Sequence, residues 1–399
     1  PTLHRSVPTV GYDFTGTDLD FLRSEAGAEA LGAVDRLELD ARTSLRDIAS
    51  VRARYPEHVA ALVETVTVRR KARAKLLGSD GWLVTDDAVQ QATPTIVARR
   101  RADRLAGRRV HDVTCSIGSE LAALVDTTER AVGSDLDPIR VRMAAHNVPS
   151  ATVLRADALT PTTRGTVIVA DPGRRVGGRR RHDPAALEPP LPDLLDAYRG
   201  RDLVVKCAPG LDFDALDWPG EIEVVSLDGG VREACLWSEG LGDSGIRRRA
   251  AVLRSDGSAL EITDAESDEI PVRPPGEYIV DPDGAVVRAG LVRHYGAKFG
   301  LWQLDPRIAY LTGDAVPLGV RGFRILEQSK FSEKVLRQQL NRLGCGAVEI
   351  LVRGVDVDPA LLRPKLKLRG RVSLSVVITR IERSAVAFVC EPGAVRQPV

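Results

Sequence analysis

No stretch of the 399 residues approaches the run of about eighteen apolar positions that a membrane-spanning helix needs. The N-terminus also lacks the basic-then-apolar pattern of a secretory leader, and the two absences make the cytoplasm the expected location. Cysteine is scarce. The five present (Cys115, Cys207, Cys235, Cys345, Cys390) are far apart and form no C-x-x-C pair. Four stand in apolar or strand-like surroundings, so reduced core thiols are expected, with no metal site. Among the six histidines no Ser-His-Asp or Cys-His pairing is visible. Hydrophobic content of 43% and charged content of 28% fit a soluble globular chain, and the length implies two to four domains.

The net charge of +1 conceals an imbalance. From Gly319 to Val399 there are 15 Lys and Arg against 7 Asp and Glu, which leaves 41 against 48 for the remainder. A basic end on an acidic body suggests a polyanion-binding module attached to something else.

The first eighty residues read as helices. "TGTDLDFLRSEAG" opens on Thr and Asp caps, and apolar residues recur at three- and four-residue steps from Thr43 to Leu76. From Trp82 the texture changes: "RRVHDV", "RAVGSD", "ATVLRAD", "GTVIVADP" and "RDLVVKCAPG" are short apolar runs alternating with helical stretches. That pattern predicts a parallel sheet covered on both faces. "EIEVVSL", "DGG" and "EACLWSE" then predict a hairpin, so the last strand runs antiparallel to its neighbour. The expected fold is α/β with a Rossmann-like, seven-stranded sheet over 81–245, preceded by a helical region over 1–80. A small α+β domain, ferredoxin-like as one option, is expected over 246–318. A compact β-α-β-β-β domain is expected over 319–399.

Chemistry concentrates at the strand ends. In "DVTCSIG" (Asp112–Gly118) a strand, a tight turn and a helix start aim backbone N–H groups at one spot, although Thr114 and Ser116 stand where glycine would be expected. The second strand ends at Ser134-Asp135, and an acid there accepts hydrogen bonds from ribose hydroxyls. The third ends at Asp157-Ala158, in reach of an adenine amino group. Asp137, before Pro138, reads as a helix cap. A nicotinamide-dependent oxidoreductase would share the loop and acid spacing, but the antiparallel ending and the third acid speak against it.

Together with "QQATP" (Gln90–Pro94), "ADPGRR" (Ala170–Arg175), "VKCAPGLD" (Val205–Asp212), "VSLDGGVREACLW", "LDPRIAYLTGD" and "VRGVDVDPALLRPKLKLRG", these motifs make the chain resemble a known family. It is similar to the class I S-adenosylmethionine-dependent methyltransferases, specifically the bacterial ones with a C-terminal THUMP-like domain. The resemblance implies S-adenosylmethionine as cofactor, its methionine portion lined by Asp112, Thr114, Cys115, Ser116 and Gly118. It also implies Asp135 at the ribose and Asp157 with Ala158 at the adenine. THUMP domains imply an RNA partner, tRNA or rRNA, for residues 319–399.

Asp171-Pro172 falls at the topological switch point, where ligands of open sheets sit. Related nucleic-acid N-methyltransferases carry an acid or amide there, followed by two prolines and an aromatic ring. Here Gly173 and Arg174 replace the second proline and the ring, so Asp171, Pro172 and Arg174 are the expected catalytic group, with Arg174 stacking on a base. Arg175, Arg179, Arg180 and Arg181 would clamp phosphate beside it. In "KLKLRGRVSLSV", Lys365, Lys367, Arg369 and Arg371 are expected on one strand face, with Leu366 and Leu368 on the other. The expected function is methyl transfer to an RNA base. The alternative, kept open by Thr114, Ser116 and the missing ring, is a catalytically silent RNA-binding protein on the same scaffold.

Overall fold

The structure is a computed structural model that describes residues 11–174 and 187–396. The chain forms two compact units. One comprises the residues up to Gly220 with Arg232–Gly242, the other Glu221–Val231 with the chain from Asp243 onward.

The first unit begins with four helices: α1 (Gly16–Leu22), α2 (Glu25–Asp35), α3 (Ser44–Arg54) and α4 (Val59–Ala72). The expected cap is real: Thr15 and Asp18 form a reciprocal capping box at the start of α1. Leu19, Leu62, Val66 and Leu83 form the core of this helical layer and pack with Ile117 and Met143 of the sheet region. Two further helices, α5 (Asp86–Gln91) and α6 (Thr95–Arg104), lead into the sheet.

Strands β1 (Arg109–Asp112), β2 (Arg130–Asp135), β3 (Thr152–Arg155), β4 (Val167–Ala170) and β5 (Leu203–Cys207) run parallel in the order β5-β4-β1-β2-β3. Every residue of β4 and β5 is buried, as continuous apolar runs require when helices cover both faces. Helices α7 (Ser119–Thr127) and α8 (Pro138–Asn147) follow β1 and β2, and α9 (Leu191–Ala197) precedes β5. Within the second unit lies β6 (Glu221–Leu227). The turn after it, Asp228-Gly229, has φ of +50° and +77°, the left-handed pair of a two-residue hairpin. Strand β7 (Gly230–Trp237) then pairs antiparallel with β5, as the sequence predicts.

In the second unit β8 (Arg248–Leu253) pairs in parallel with β6 and antiparallel with β9 (Ala259–Thr263), so hydrogen bonding crosses the boundary drawn at position 245. The 318/319 boundary is crossed likewise: β10 (Tyr278–Val280) pairs with β11 (Leu311–Gly313) and with β12 (Arg321–Lys330). Helices α10 (Gly284–Arg288) and α11 (Val292–Phe299) lie between β10 and β11 in the chain. The same sheet continues from β12 through β15 (Ser384–Cys390) and β14 (Val372–Ile381) to β13 (Cys345–Arg353). Helix α12 (Glu333–Arg342) belongs to this layer.

One expectation fails here. "KLKLRG" is not strand: Pro359–Lys365 is a helix, α13, and β14 starts only at Val372. Asp358 caps α13 and Pro359 sits at its first turn, while Leu362 and Leu366, one helical turn apart, are both buried. That spacing outweighs the K-L-K-L alternation, and Lys367 adopts a left-handed φ of +50°. Lys365 therefore ends a helix, and Lys367, Arg369 and Arg371 are exposed in the connection rather than sharing a strand face.

Candidate functional site

The loop after β1 shows how threonine and serine serve in place of glycine. Thr114 donates its N–H to Asp112 Oδ1 at 3.0 Å, and its hydroxyl accepts the N–H of Asp171 at 2.7 Å. Cys115 N–H reaches Ser134 O on β2 at 2.9 Å. Ser116 takes a φ of +47°, a conformation that costs a residue with a Cβ on the order of 1 kcal/mol. Its N–H donates to Asp135 Oδ2 at 2.9 Å, and a hydrogen bond to a charged acceptor offsets that cost. Gly118, at φ +88°, caps α7. The turn thus keeps its shape without the expected glycines.

Asp135 accepts on both oxygens, from Ser116 N–H and from Asp137 N–H at 2.9 Å. A carboxylate has about four lone-pair sites, so acceptor capacity remains. Asp157 Oδ1 takes the N–H of Leu159 at 2.8 Å, and the carbonyl of Ala158 takes the hydroxyl of Tyr198 at 2.8 Å. Asp137 caps α8 through Ile139 N–H and Arg140 N–H, the role expected of it.

These groups converge on one cavity of about 420 Å³ in the first unit. Asp112, Thr114, Cys115, Ser116, Asp135 and Asp157 line it, joined by Ala158 and Asp171. Gly118 lies one step back, in the helix cap, and Pro172 is buried. The backbone of Gly173–Arg174 pairs with Leu187–Glu188 in a short ribbon. Arg175, Arg179, Arg180 and Arg181, expected as a phosphate clamp, lie outside the described residues, as does the Arg174 side chain.

Reaching the cavity wall at Glu120, Lys206 and Asp171 is a buried ionic chain that the sequence reading missed. Arg101 on α6 holds Glu120 of α7 with two hydrogen bonds, at 2.7 and 3.0 Å, and holds Glu233 of β7. Glu233 lies 3.9 Å from the ammonium of Lys206 on β5, and Lys206 in turn holds Thr93 and Asp171. The Arg101 and Lys206 side chains are 2% and 8% exposed, whereas that of Asp171 is 44% exposed. A signal was present: a lysine within "LVVKC" and a glutamate within "REACLW" are charges in strands otherwise read as core.

The electrostatics follow from this packing. Burial works against the Lys206 charge, but Asp171 and Glu233 outweigh it and hold the ammonium above its ordinary range. Burial would raise Glu233, yet Arg101 and Lys206 bring it down to about 2. At Asp112 the attraction of Lys206 is outweighed. Burial, then the charge of Glu120, pushes the Asp112 carboxyl up to about 8. Burial raises the Cys207 thiol to about 12 and lifts Cys115 further, and all five cysteines are buried and unbridged. No helix among the described residues is long and apolar enough to cross a membrane.

Comparison with known proteins bears on this arrangement. A family model described as THUMP domain-like matches residues 320–392, and a domain of unknown function matches 16–72. Two strains of Mycobacterium tuberculosis carry proteins named as uncharacterised S-adenosylmethionine-dependent methyltransferases. Each is 57% identical over 360 residues, which is 86% of this chain and 100% of theirs. A crystal structure of a Porphyromonas gingivalis protein assigned as a methyltransferase superposes with a TM-score of 0.72. It is 20% identical and covers 91% of this chain and 98% of that one, a likeness of fold. With 57% identity across the full length of those relatives, the chain belongs to the S-adenosylmethionine-dependent methyltransferases, in a form with a THUMP-like C-terminal domain.

Proposed function

We propose that this chain methylates RNA, transferring a methyl group from S-adenosylmethionine to a base of tRNA or rRNA. The observation that carries the reading is a cavity lined by carboxylates from the ends of β1 and β2 and from the loops after β3 and β4. Its volume suits a ligand of nucleoside size. Asp135 would accept the ribose hydroxyls, Asp157 with Ala158 would border the adenine, and Asp112 through Gly118 would face the methionine end.

When bound, S-adenosylmethionine supplies a methyl group on a sulfonium sulfur, which keeps the electron pair of the broken S–CH3 bond as the neutral thioether product. The chain's own residues align and exclude water. Asp171, exposed at the cavity rim, would accept a hydrogen bond from the attacked amine and take up the proton that nitrogen sheds as the N–CH3 bond forms. Pro172 and Arg174 would shape the base-binding side. RNA is supported by the THUMP-like match and the basic composition from Gly319 on, with Lys365, Lys367, Arg369 and Arg371 as phosphate contacts. The intact turn at Thr114 and Ser116 favours this reading over a silent scaffold.

The test is mass spectrometry of nucleosides from tRNA and rRNA with and without the gene. One methylated nucleoside lost on deletion and restored by the wild-type chain is expected. An unchanged profile in every RNA class would overturn the RNA assignment.

A further inference from the structure

Asp171 is held twice. Its main-chain N–H donates to the hydroxyl of Thr114 at 2.7 Å, and its carboxylate receives the ammonium of Lys206. Neither partner is an incidental surface contact. Thr114 is itself tied to Asp112 through its N–H, and Lys206 is buried between Thr93 and Glu233. Glu233 is anchored in turn by Arg101, which holds Glu120 at the start of α7. Helices α6 and α7 and strands β5 and β7 thus converge on the orientation of one exposed carboxylate. A flexible aspartate on a loop would lose rotamer freedom each time it met an acceptor, and this one is already fixed.

We propose that Lys206 and Thr114 are positioning residues for Asp171, the first fixing its carboxylate and the second its main chain, so that the methyl acceptor meets a preset hydrogen-bond acceptor. The inference rests on Asp171 facing the acceptor, as in the proposed function. It also gives Thr114 a purpose that glycine could not serve, because only a hydroxyl at that position receives the Asp171 N–H.

The experiment uses the full chain, tritiated S-adenosylmethionine and total RNA from a strain lacking the gene. Lys206→Met and Thr114→Val are expected to lower kcat at least tenfold, since a misplacement of about 1 Å at a reacting centre costs on the order of a hundredfold. Because Thr114 and Lys206 also line the cavity, kcat is read at saturating S-adenosylmethionine with cofactor Kd followed by calorimetry, so that weaker cofactor binding is not counted as a lost rate. Thr114→Ser, which retains the hydroxyl, should recover most of the rate. In an Asp171→Asn background Lys206→Met should cost less than about twofold more, because a residue acting through another has nothing further to lose. Wild-type rates in either single variant would overturn the proposal, as would fully additive losses in the double variant. Should Lys206→Met fail to fold, the Thr114 pair decides alone. If the wild-type chain labels no RNA, the RNA reading itself falls and this inference with it, an outcome that the control separates from the others.

Discussion

Arg101 and Arg249 are both buried arginines gripped by several acids, and they differ in where those acids lead. Arg249 on β8 meets Glu221 of β6 at 2.8 Å, and also Asp243 and Glu261. The latter two side chains are 66% and 36% exposed, so water serves whatever charge the arginine does not. Arg101 sits in a chain whose far end, Asp171, opens on a cavity and whose neighbour Asp112 is buried at the cavity wall. Water does not balance Asp112. Burial and the charge of Glu120 lift its carboxyl to about 8, which favours the protonated form at neutral pH. Buried charge by itself is therefore a structural device in this molecule. It marks a site where its surplus faces an interior space that a cation could enter.

Paired substitutions should break this comparison most visibly. Removing one partner of a buried ion cluster strands the others at a cost of roughly 3–5 kcal/mol, so Arg101→Met and Arg249→Met should both lower the midpoint of chemical denaturation substantially. Only Arg101→Met should also weaken cofactor binding, through the displaced Glu120, which lines the cavity. Equal loss of cofactor affinity in both variants would erase the distinction.

A subtler effect concerns pH. Asp112 is faced by Glu120 from α7, Asp171 from the loop after β4, Lys206 from β5 and the N–H of Thr114. Its folded pKa lies above its unfolded value, so its contribution to stability is fully present below about pH 4 and is lost as pH rises through about 8. A cationic ligand favours the anionic carboxylate. Cofactor affinity should therefore rise between pH 6 and 8, with release of up to about one proton, read by calorimetry in buffers of different ionisation enthalpy. Asp112→Asn should flatten that dependence.

The smallest effect is at Ser116, where glycine relieves a positive φ. Ser116→Gly should stabilise the chain by no more than about 1 kcal/mol and leave cofactor affinity nearly unchanged, by thermal melting and calorimetry.

How much of this was legible follows from the range of each interaction. Asp112, Asp135 and Asp157 could be read because apolar β runs stop near them, and the Asp228-Gly229 hairpin because a turn signal is local. The ionic chain could not, since Arg101 and Glu233 are separated by 132 positions and Lys206 and Thr93 by 113. Only folding brings such pairs together. Helix α13 was misread because its K-L-K-L end imitates strand alternation, while the Leu362–Leu366 helical step that decides it was there to be counted. Thr114 and Ser116 looked like defects in a glycine loop because their backbone and hydroxyl partners, Asp135 and Asp171, come from other strand ends.

The most direct measurement is titration calorimetry of S-adenosylmethionine into the wild-type chain and Asp135→Ala. The account predicts a wild-type Kd on the order of micromolar, weakened tenfold or more by the substitution, as loss of a charged hydrogen bond of about 1.5–3 kcal/mol requires. Equal binding by the two proteins would contradict it.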